Sequence, residues 1–247
     1  MTIEQMIERA HELGCDVFQI CDDPRIETYS SSRLSELRDL ANHYSIALEL
    51  GTRGVTPEKL NAYLDLAQHL NANLIRSMVT SADQQPLANL QALMPRCEEQ
   101  QVTIALETYE QISTTQLIEI VQRVDCENLG ICLDPANCVS ALEHPRSVIK
   151  AAAPYTVNLH VKDFAFTRAD GWVGFRYAGA ELGTGLLDLD YELSAVYSNG
   201  RNPSAIVEHW VVWQGDLTAT VTMERNWTRT TLNRLRTYAS SNTSNHH

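Results

Sequence analysis

Four residues of this sequence carry groups that bind a hard or borderline metal ion, and each follows directly on a short apolar run. They are Glu107 after Ile104-Ala105-Leu106, Asp134 after Ile131-Cys132-Leu133, His160 after Val157-Asn158-Leu159, and Glu208 after Ala205-Ile206-Val207. A polar residue at a strand end is commonplace and often caps the next helix, so any one of these carries little weight. Four in register carry more. Three carboxylates and one imidazole make an oxygen-rich donor set that suits Mn²⁺, Mg²⁺ or Co²⁺ better than a closed structural zinc site, with zinc as the softer alternative. Crowded carboxylates repel one another, and a divalent cation is the simplest means of keeping all of them ionised.

The elements that must position these residues are legible as recurring β-branched or aliphatic runs: Asp16–Ile20, Ile46–Leu50, Leu74–Met78, Val102–Leu106, Leu129–Leu133, Thr156–Leu159 and Ser204–Val207. Each reads as a buried strand. Amphipathic segments lie between them. Leu60, Tyr63, Leu64, Ala67 and Leu70, for example, recur at three- and four-residue intervals and so share one helical face. Thr2 with Gln5 and Ser113 with Gln116 fit capping boxes, Thr56-Pro57 supplies a cap followed by proline, and Asp216 can cap the last helix. Successive strands start roughly 27 to 30 residues apart, the length of one βα unit. The last interval is longer, and the excess falls in a glycine- and aromatic-rich loop, Phe164 to Leu187.

Repeated βα units leave a doubly wound sheet or a (β/α)8 TIM barrel, and no glycine fingerprint after an early strand favours the first. The 247 residues suit a barrel of about 250, with the polar residues at the strand C-terminal ends where such barrels keep their active sites. The expected organisation is one barrel domain over residues 1–238. Residues 239–247, rich in Ser, Asn and Thr and ending in two histidines, read as a disordered tail or tag remnant. The chain opens on a predicted helix, Ile3 to Leu13, so seven strands are recognised and a first strand is missing. A shortened barrel, closure by another segment, and an open seam are all compatible with that count.

Composition narrows the partners. With 31 acidic against 19 basic side chains the net charge is −12, and no basic run offsets it, which argues against nucleic acid. No stretch approaches the roughly 20 apolar residues of a membrane span, and Met1 to Ala10 carries charges where a signal peptide is apolar. No membrane partner and a cytoplasmic location are expected. The cysteines at 15, 21, 97, 126, 132 and 138 form no C-x-x-C pair and read as free thiols.

The order Glu107, Asp134-Pro135-Ala136-Asn137, His160-Val161-Lys162-Asp163, Glu208 resembles the xylose isomerase-like barrel family of sugar isomerases and epimerases, over nearly the whole chain. The resemblance implies one divalent ion held by Glu107, Asp134, His160 and Glu208. A ketose or polyhydroxy acid would chelate that ion through two neighbouring oxygens, with the two glutamates on opposite sides of the substrate. In the epimerases such a pair both binds metal and moves the proton, the ion stabilising enediolate oxygens. His160-Val161-Lys162-Asp163-Phe164, Gly174-Phe175-Arg176 and Glu181 to Asp188 look like the group that contains 3-oxo-isoapionate decarboxylases. Decarboxylation makes the same kind of enediolate by losing CO₂ instead of a proton, so isomerase or epimerase and lyase readings both stand.

Further candidates surround this set. Lys162, two residues beyond His160, lies on the same side of a continuing strand and can neutralise a substrate carboxylate; the alternative is a solvated lysine paired with Asp163. Arg76 interrupts an apolar strand and reads as a substrate-anion contact or an internal ion pair. Gln19, Glu49 and Asn137, near strand ends, can bond substrate hydroxyls or their own loops. His209 faces away from Glu208 on an extended strand and reads as structural. Trp172, Phe175, Arg176 and Tyr177 suit a lid over a small polar ligand, with Arg176 a substrate contact, or else a contact between subunits of a homo-oligomer. A nuclease of the same superfamily would need more ligands and a basic groove. A barrel that binds without turnover is the remaining class.

Overall fold

The computed structural model describes residues 1–80, 83–169, 171, 173–198 and 200–243. Apolar runs too short for helices, of β-branched or other aliphatic residues, become strands here, each within a residue or two of its expected bounds. They are β1 (Val17–Cys21), β2 (Ala47–Gly51), β3 (Leu74–Ser77), β4 (Thr103–Glu107), β5 (Leu129–Leu133) and β6 (Thr156–Val161). Two strands that the sequence reading treated as loop follow, β7 (Phe164–Arg168) and β8 (Phe175–Gly179), and then β9 (Ser204–Val207). The main sheet runs β1-β2-β3-β4-β5-β6-β9, while β7 and β8 form a separate antiparallel hairpin. Pairing from β1 through β6 is parallel, and β5 is buried along its whole length, as strands covered on both faces must be.

Helices connect the strands: α1 (Ile3–Glu12), α2 (Ser31–His43), α3 (Pro57–Leu70), α4 (Pro86–Gln100), α5 (Thr114–Val124), α6 (Pro135–Cys138), α7 (Pro145–Ala152), α8 (Leu189–Tyr197) and α9 (Leu217–Thr243). Their starts follow the expected chemistry. Thr2 and Ser113 close reciprocal capping boxes with Gln5 and Gln116, and Thr56 caps α3 with Pro57 at its first turn. Asp216 Oδ1 accepts from the Ala219 backbone N–H at 2.8 Å at the start of α9. The apolar face of α3 is buried through Leu60, Tyr63, Leu64, Ala67 and Leu70.

The chain forms two compact units, Met1–Leu159 with Ser194–Ile206, and His160–Leu193 with Val207–His247. Within the first, a buried network rolls the sheet. Gln19 of β1 donates to Glu49 of β2 at 3.1 Å and to Asn158 of β6 at 3.3 Å. Asn158 donates to Glu49 at 3.2 Å, and Ser204 of β9 donates to Glu49 at 2.5 Å. Strands far apart in sheet order thus meet through their side chains, the arrangement of a TIM-barrel fold with seven strands in its main sheet among the described residues.

Two expectations are revised. The stretch from Phe164 is not plain loop but a hairpin, with Phe166 paired in register to Tyr177. The residues expected to form a tail continue α9 as far as Thr243, while 244–247 lie outside the described residues. Trp172 also lies outside them. All six cysteines are free, and no helix among the described residues is long and apolar enough to cross a membrane.

Candidate functional site

In the first unit, Glu107 is the last residue of β4 and is 1% exposed, so its carboxylate needs partners. Asn137 Nδ2 donates to Oε1 at 2.8 Å, and Arg76 Nη2 lies 2.5 Å from Oε2. Arg76, on β3, also donates to the Thr52 carbonyl at 3.2 Å. Burial alone would lower its guanidinium, but the charge of Glu107, with help from Asp22, holds it above its ordinary value. Asp134 follows β5 and is fully buried. Its Oδ1 caps α6 by accepting from the backbone N–H groups of Ala136 at 3.1 Å and Asn137 at 3.3 Å. Thr108, the residue after Glu107, fixes the Asp134 backbone in turn: its hydroxyl accepts from the Asp134 N–H at 2.8 Å and donates to the Asp134 carbonyl at 3.0 Å.

In the second unit, His160 belongs to β6 and Glu208 follows β9. His160 Nδ1 lies 3.0 Å from Glu208 Oε2, and Lys162 Nζ donates to Glu208 Oε1 at 3.0 Å. Burial would raise the Glu208 carboxyl, but His160 and the Lys162 ammonium together hold it far below the usual carboxylate range. Lys162 is 1% exposed, and its ammonium stands 4.0 Å from the centre of the Trp210 ring. The solvated-lysine alternative is therefore excluded.

Asp163, offered by the sequence as that lysine's partner, does something else. Its two oxygens accept backbone N–H bonds from Phe164 at 2.8 Å, Gly183 at 2.9 Å, Gly185 at 3.0 Å and Leu187 at 2.9 Å. His209 turns away as expected, edge-on to Trp227 of α9, and burial pushes its imidazole down to about 4.

The other expected contacts fall in different places. Gln19 and Glu49 lie in the buried network with Asn158 and Ser204, Asn137 holds Glu107, and Arg76 is in the internal ion pair that was the alternative for it. Arg176 is exposed on β8 opposite Thr167. Phe175 is 64% exposed, whereas Tyr177 packs edge-on against both Phe164 and Trp210. Sequence reasoning missed Thr108, Asp163 and Ser204. The signal for Thr108 was its place directly after Glu107; Asp163 and Ser204 act over distances no local pattern records. The first unit offers two carboxylates and the second an imidazole and a carboxylate, a donor set whose chemistry could hold a metal ion.

Comparison with known proteins agrees with this architecture. The chain is 46% identical to the 3-oxo-isoapionate decarboxylase of Pectobacterium atrosepticum over 237 residues, covering 94% of this chain and 86% of that protein. A D-psicose 3-epimerase from Clostridium cellulolyticum H10, solved with D-tagatose, superposes with a TM-score of 0.72 at 18% identity, covering 96% of this chain and 92% of the other. A Mycobacterium smegmatis protein solved in complex with magnesium gives a TM-score of 0.71 at 15% identity, with 93% and 87% covered. The two structural likenesses show the fold. Residues 3–238 match one family along nearly their whole length, and the chain belongs to it: the xylose isomerase-like TIM barrel family.

Proposed function

We propose that this chain is a divalent-metal-dependent lyase that decarboxylates a branched 3-oxo sugar acid. The carrying observation is the 46% identity to a decarboxylase over 94% of the chain. Glu107, Asp134, His160 and Glu208, which lie at or within one residue of the ends of β4, β5, β6 and β9, strands adjacent in that order, would hold the ion. Mn²⁺ or Mg²⁺ suits three carboxylates and an imidazole. When bound, such an ion supplies Lewis acidity to two neighbouring substrate oxygens.

The protein's own residues do the rest. In this reading the bond between the carboxyl carbon and its neighbour breaks and CO₂ leaves. The electron pair spreads onto the oxo oxygen, and a proton then returns to the carbon. Lys162 attracts the substrate carboxylate and supplies that proton, and Glu208, bonded to its ammonium, hands a proton on from solvent. Glu107, oriented by Arg76 and Asn137, would serve as a ligand to the ion and takes no part in the proton transfer. Arg176 remains a candidate contact from the hairpin. Arg76, Asn137, Gln19 and Glu49 act through the protein by holding other residues in place.

A second reading, a sugar isomerase or epimerase, draws on the two glutamates, since a carboxylate on each side of a carbon can remove and return a proton. One experiment separates the two. Chelator-treated protein is reloaded with Mn²⁺ and offered a 3-oxo sugar acid and a panel of ketoses in deuterated water. Metal-dependent CO₂ release supports the lyase, and deuterium exchange into a ketose without CO₂ release supports the isomerase. Neither activity, with metal bound, would leave a binding protein.

A further inference from the structure

Both glutamates of the proposed metal set have an internal cation fixed beside them. In the first unit Arg76 Nη2 lies 2.5 Å from Glu107 Oε2, with side chains 6% and 1% exposed. In the second, Lys162 Nζ lies 3.0 Å from Glu208 Oε1, its own side chain 1% exposed. Neither cation can retreat into water. The Thr52 carbonyl holds the Arg76 guanidinium at 3.2 Å, and the Trp210 ring covers the Lys162 ammonium at 4.0 Å. The remaining glutamate oxygens are engaged too, by Asn137 Nδ2 at 2.8 Å and His160 Nδ1 at 3.0 Å.

Fixed positive charge beside a ligand oxygen opposes a divalent cation, and does so strongly where the surroundings are of low dielectric. The affinity of an oxygen-donor site for such a cation is tuned by how many uncompensated charges it presents. A set of three bare carboxylates would bind tightly. With two of the three neutralised by built-in cations, the set presents a single net negative charge.

We propose that Arg76 and Lys162 are internal counter-cations that set the strength of metal binding, making the ion weakly held and exchangeable instead of permanently bound. The inference rests on the metal-dependent reading above. It assigns Arg76 a part in tuning the metal, in place of an anion contact with substrate. It also accounts for a buried arginine next to the apolar residues of β3: Arg76 holds the Glu107 carboxyl group in place whatever the metal supply.

The test is calorimetric titration of Mn²⁺ into chelator-treated wild type, Arg76→Gln, Lys162→Gln and Arg76→Lys, with release into a chromogenic chelator measured alongside. Glutamine keeps a donor for each glutamate and lowers the risk of misfolding. Both glutamine variants are expected to bind at least about tenfold more tightly than wild type and to release the ion more slowly, while Arg76→Lys, which retains the charge, stays within about threefold. Equal or weaker binding in both glutamine variants, with wild type binding normally, overturns the counter-cation role and leaves the metal reading intact. No binding by wild type overturns the metal reading itself, and this inference with it.

Discussion

The side-chain amide of Asn137 donates to Glu107 Oε1 at 2.8 Å, while the backbone N–H of the same asparagine is capped by Asp134 Oδ1 at 3.3 Å. One residue of a single helical turn therefore fixes the carboxylate at the end of β4 and is itself fixed by the carboxylate after β5. Removing the amide leaves a buried glutamate oxygen with one partner fewer. Asn137→Ala is expected to lower Mn²⁺ affinity by about 10- to 100-fold, the usual cost of losing a group that orients a metal ligand. Asn137→Asp should instead lower the stability of the metal-free protein more than Asn137→Ala does, since it sets two carboxylates against each other. Calorimetric titration of Asn137→Ala beside wild type checks the first expectation, and urea unfolding of both metal-free variants the second.

Glu107→Gln and Glu208→Gln are each expected to reduce turnover at least about 100-fold, but their effects on stability should differ. Glu107 shares a nearly waterless ion pair with Arg76, so its glutamine variant leaves a buried guanidinium with only the more distant Asp22 carboxylate, at 3.9 Å, a loss of up to about 3 to 5 kcal/mol. The Glu208 side chain is 35% exposed, so less Coulombic energy is lost there, but its variant leaves the Lys162 ammonium, 1% exposed, without its carboxylate and should still cost about 1 to 3 kcal/mol. Urea unfolding distinguishes the two. Equal costs would mean that Arg76 finds another partner.

These asymmetries mark how far the sequence could be read. Strand positions were legible because apolar runs buried on both faces have few alternatives, and the four residues proposed as ligands because each follows such a run. The hairpin was misread as loop although Phe164, Phe166 and Arg168 alternate with Ala165 and Thr167 at a strand's period; the glycines at 171 and 174, both with positive φ, turn the chain between its strands. Contacts such as Gln19 with Asn158, 139 residues apart, leave no local trace. The sequence offered Arg76 two roles, and the ion pair becomes visible only in the distance to Glu107.

Tyr63 provides a test of pH dependence away from the glutamates. Its hydroxyl donates to Glu27 at 2.9 Å, and burial, with that neighbouring carboxylate, pushes its pKa up from 10.0 to about 12. Between those values the unfolded chain has released a proton that the folded chain keeps. The stabilisation is therefore complete below pH 10 and disappears as pH rises towards 12. The loss over that window is of order 2 kcal/mol. Tyr63→Phe, lower in stability by about 1 kcal/mol at neutral pH for want of the hydrogen bond, should show a correspondingly shallower alkaline decline. Parallel stability curves for the two proteins above pH 10 would contradict this assignment.

Gly185 cannot carry a side chain without moving Asp163. A Cβ at this position would overlap Asp163 Oδ1 and the carbonyl oxygen of Phe164, both parts of the clamp that gathers the backbone of residues 183–187. Gly185→Ala is expected to cost about 1 to 3 kcal/mol and to loosen the clamp. Asp163→Asn, which replaces an acceptor with a donor facing backbone N–H groups, should loosen it further. Trypsin provides the readout, because Arg168 and Arg176 lie on the strands that lead into and out of the hairpin turn. Cleavage at these arginines should accelerate in both variants, and unchanged rates would show that the hairpin does not depend on Asp163.

Glu49 shows whether the rolled sheet of the first unit depends on charge or on hydrogen-bond acceptance. Its Oε2 accepts from Gln19 and Asn158, and its Oε1 from Ser204, so one carboxylate joins strands from both ends of the sheet order. Glutamine can reproduce much of this. With its oxygen towards the two amides, its NH₂ meets a serine hydroxyl that is able to rotate and accept. Glu49→Gln should therefore cost no more than about 1 kcal/mol. Glu49→Ala removes the shared acceptor and leaves the amides only the bonds from Gln19 to Asn158 at 3.3 Å and from Asn158 to Ser204 at 2.8 Å; it is expected to cost about 1 to 3 kcal/mol and to unfold at lower denaturant. A glutamine variant as damaged as the alanine variant would mean that the negative charge itself holds these strands together, and the search would turn to the cation that pairs with it.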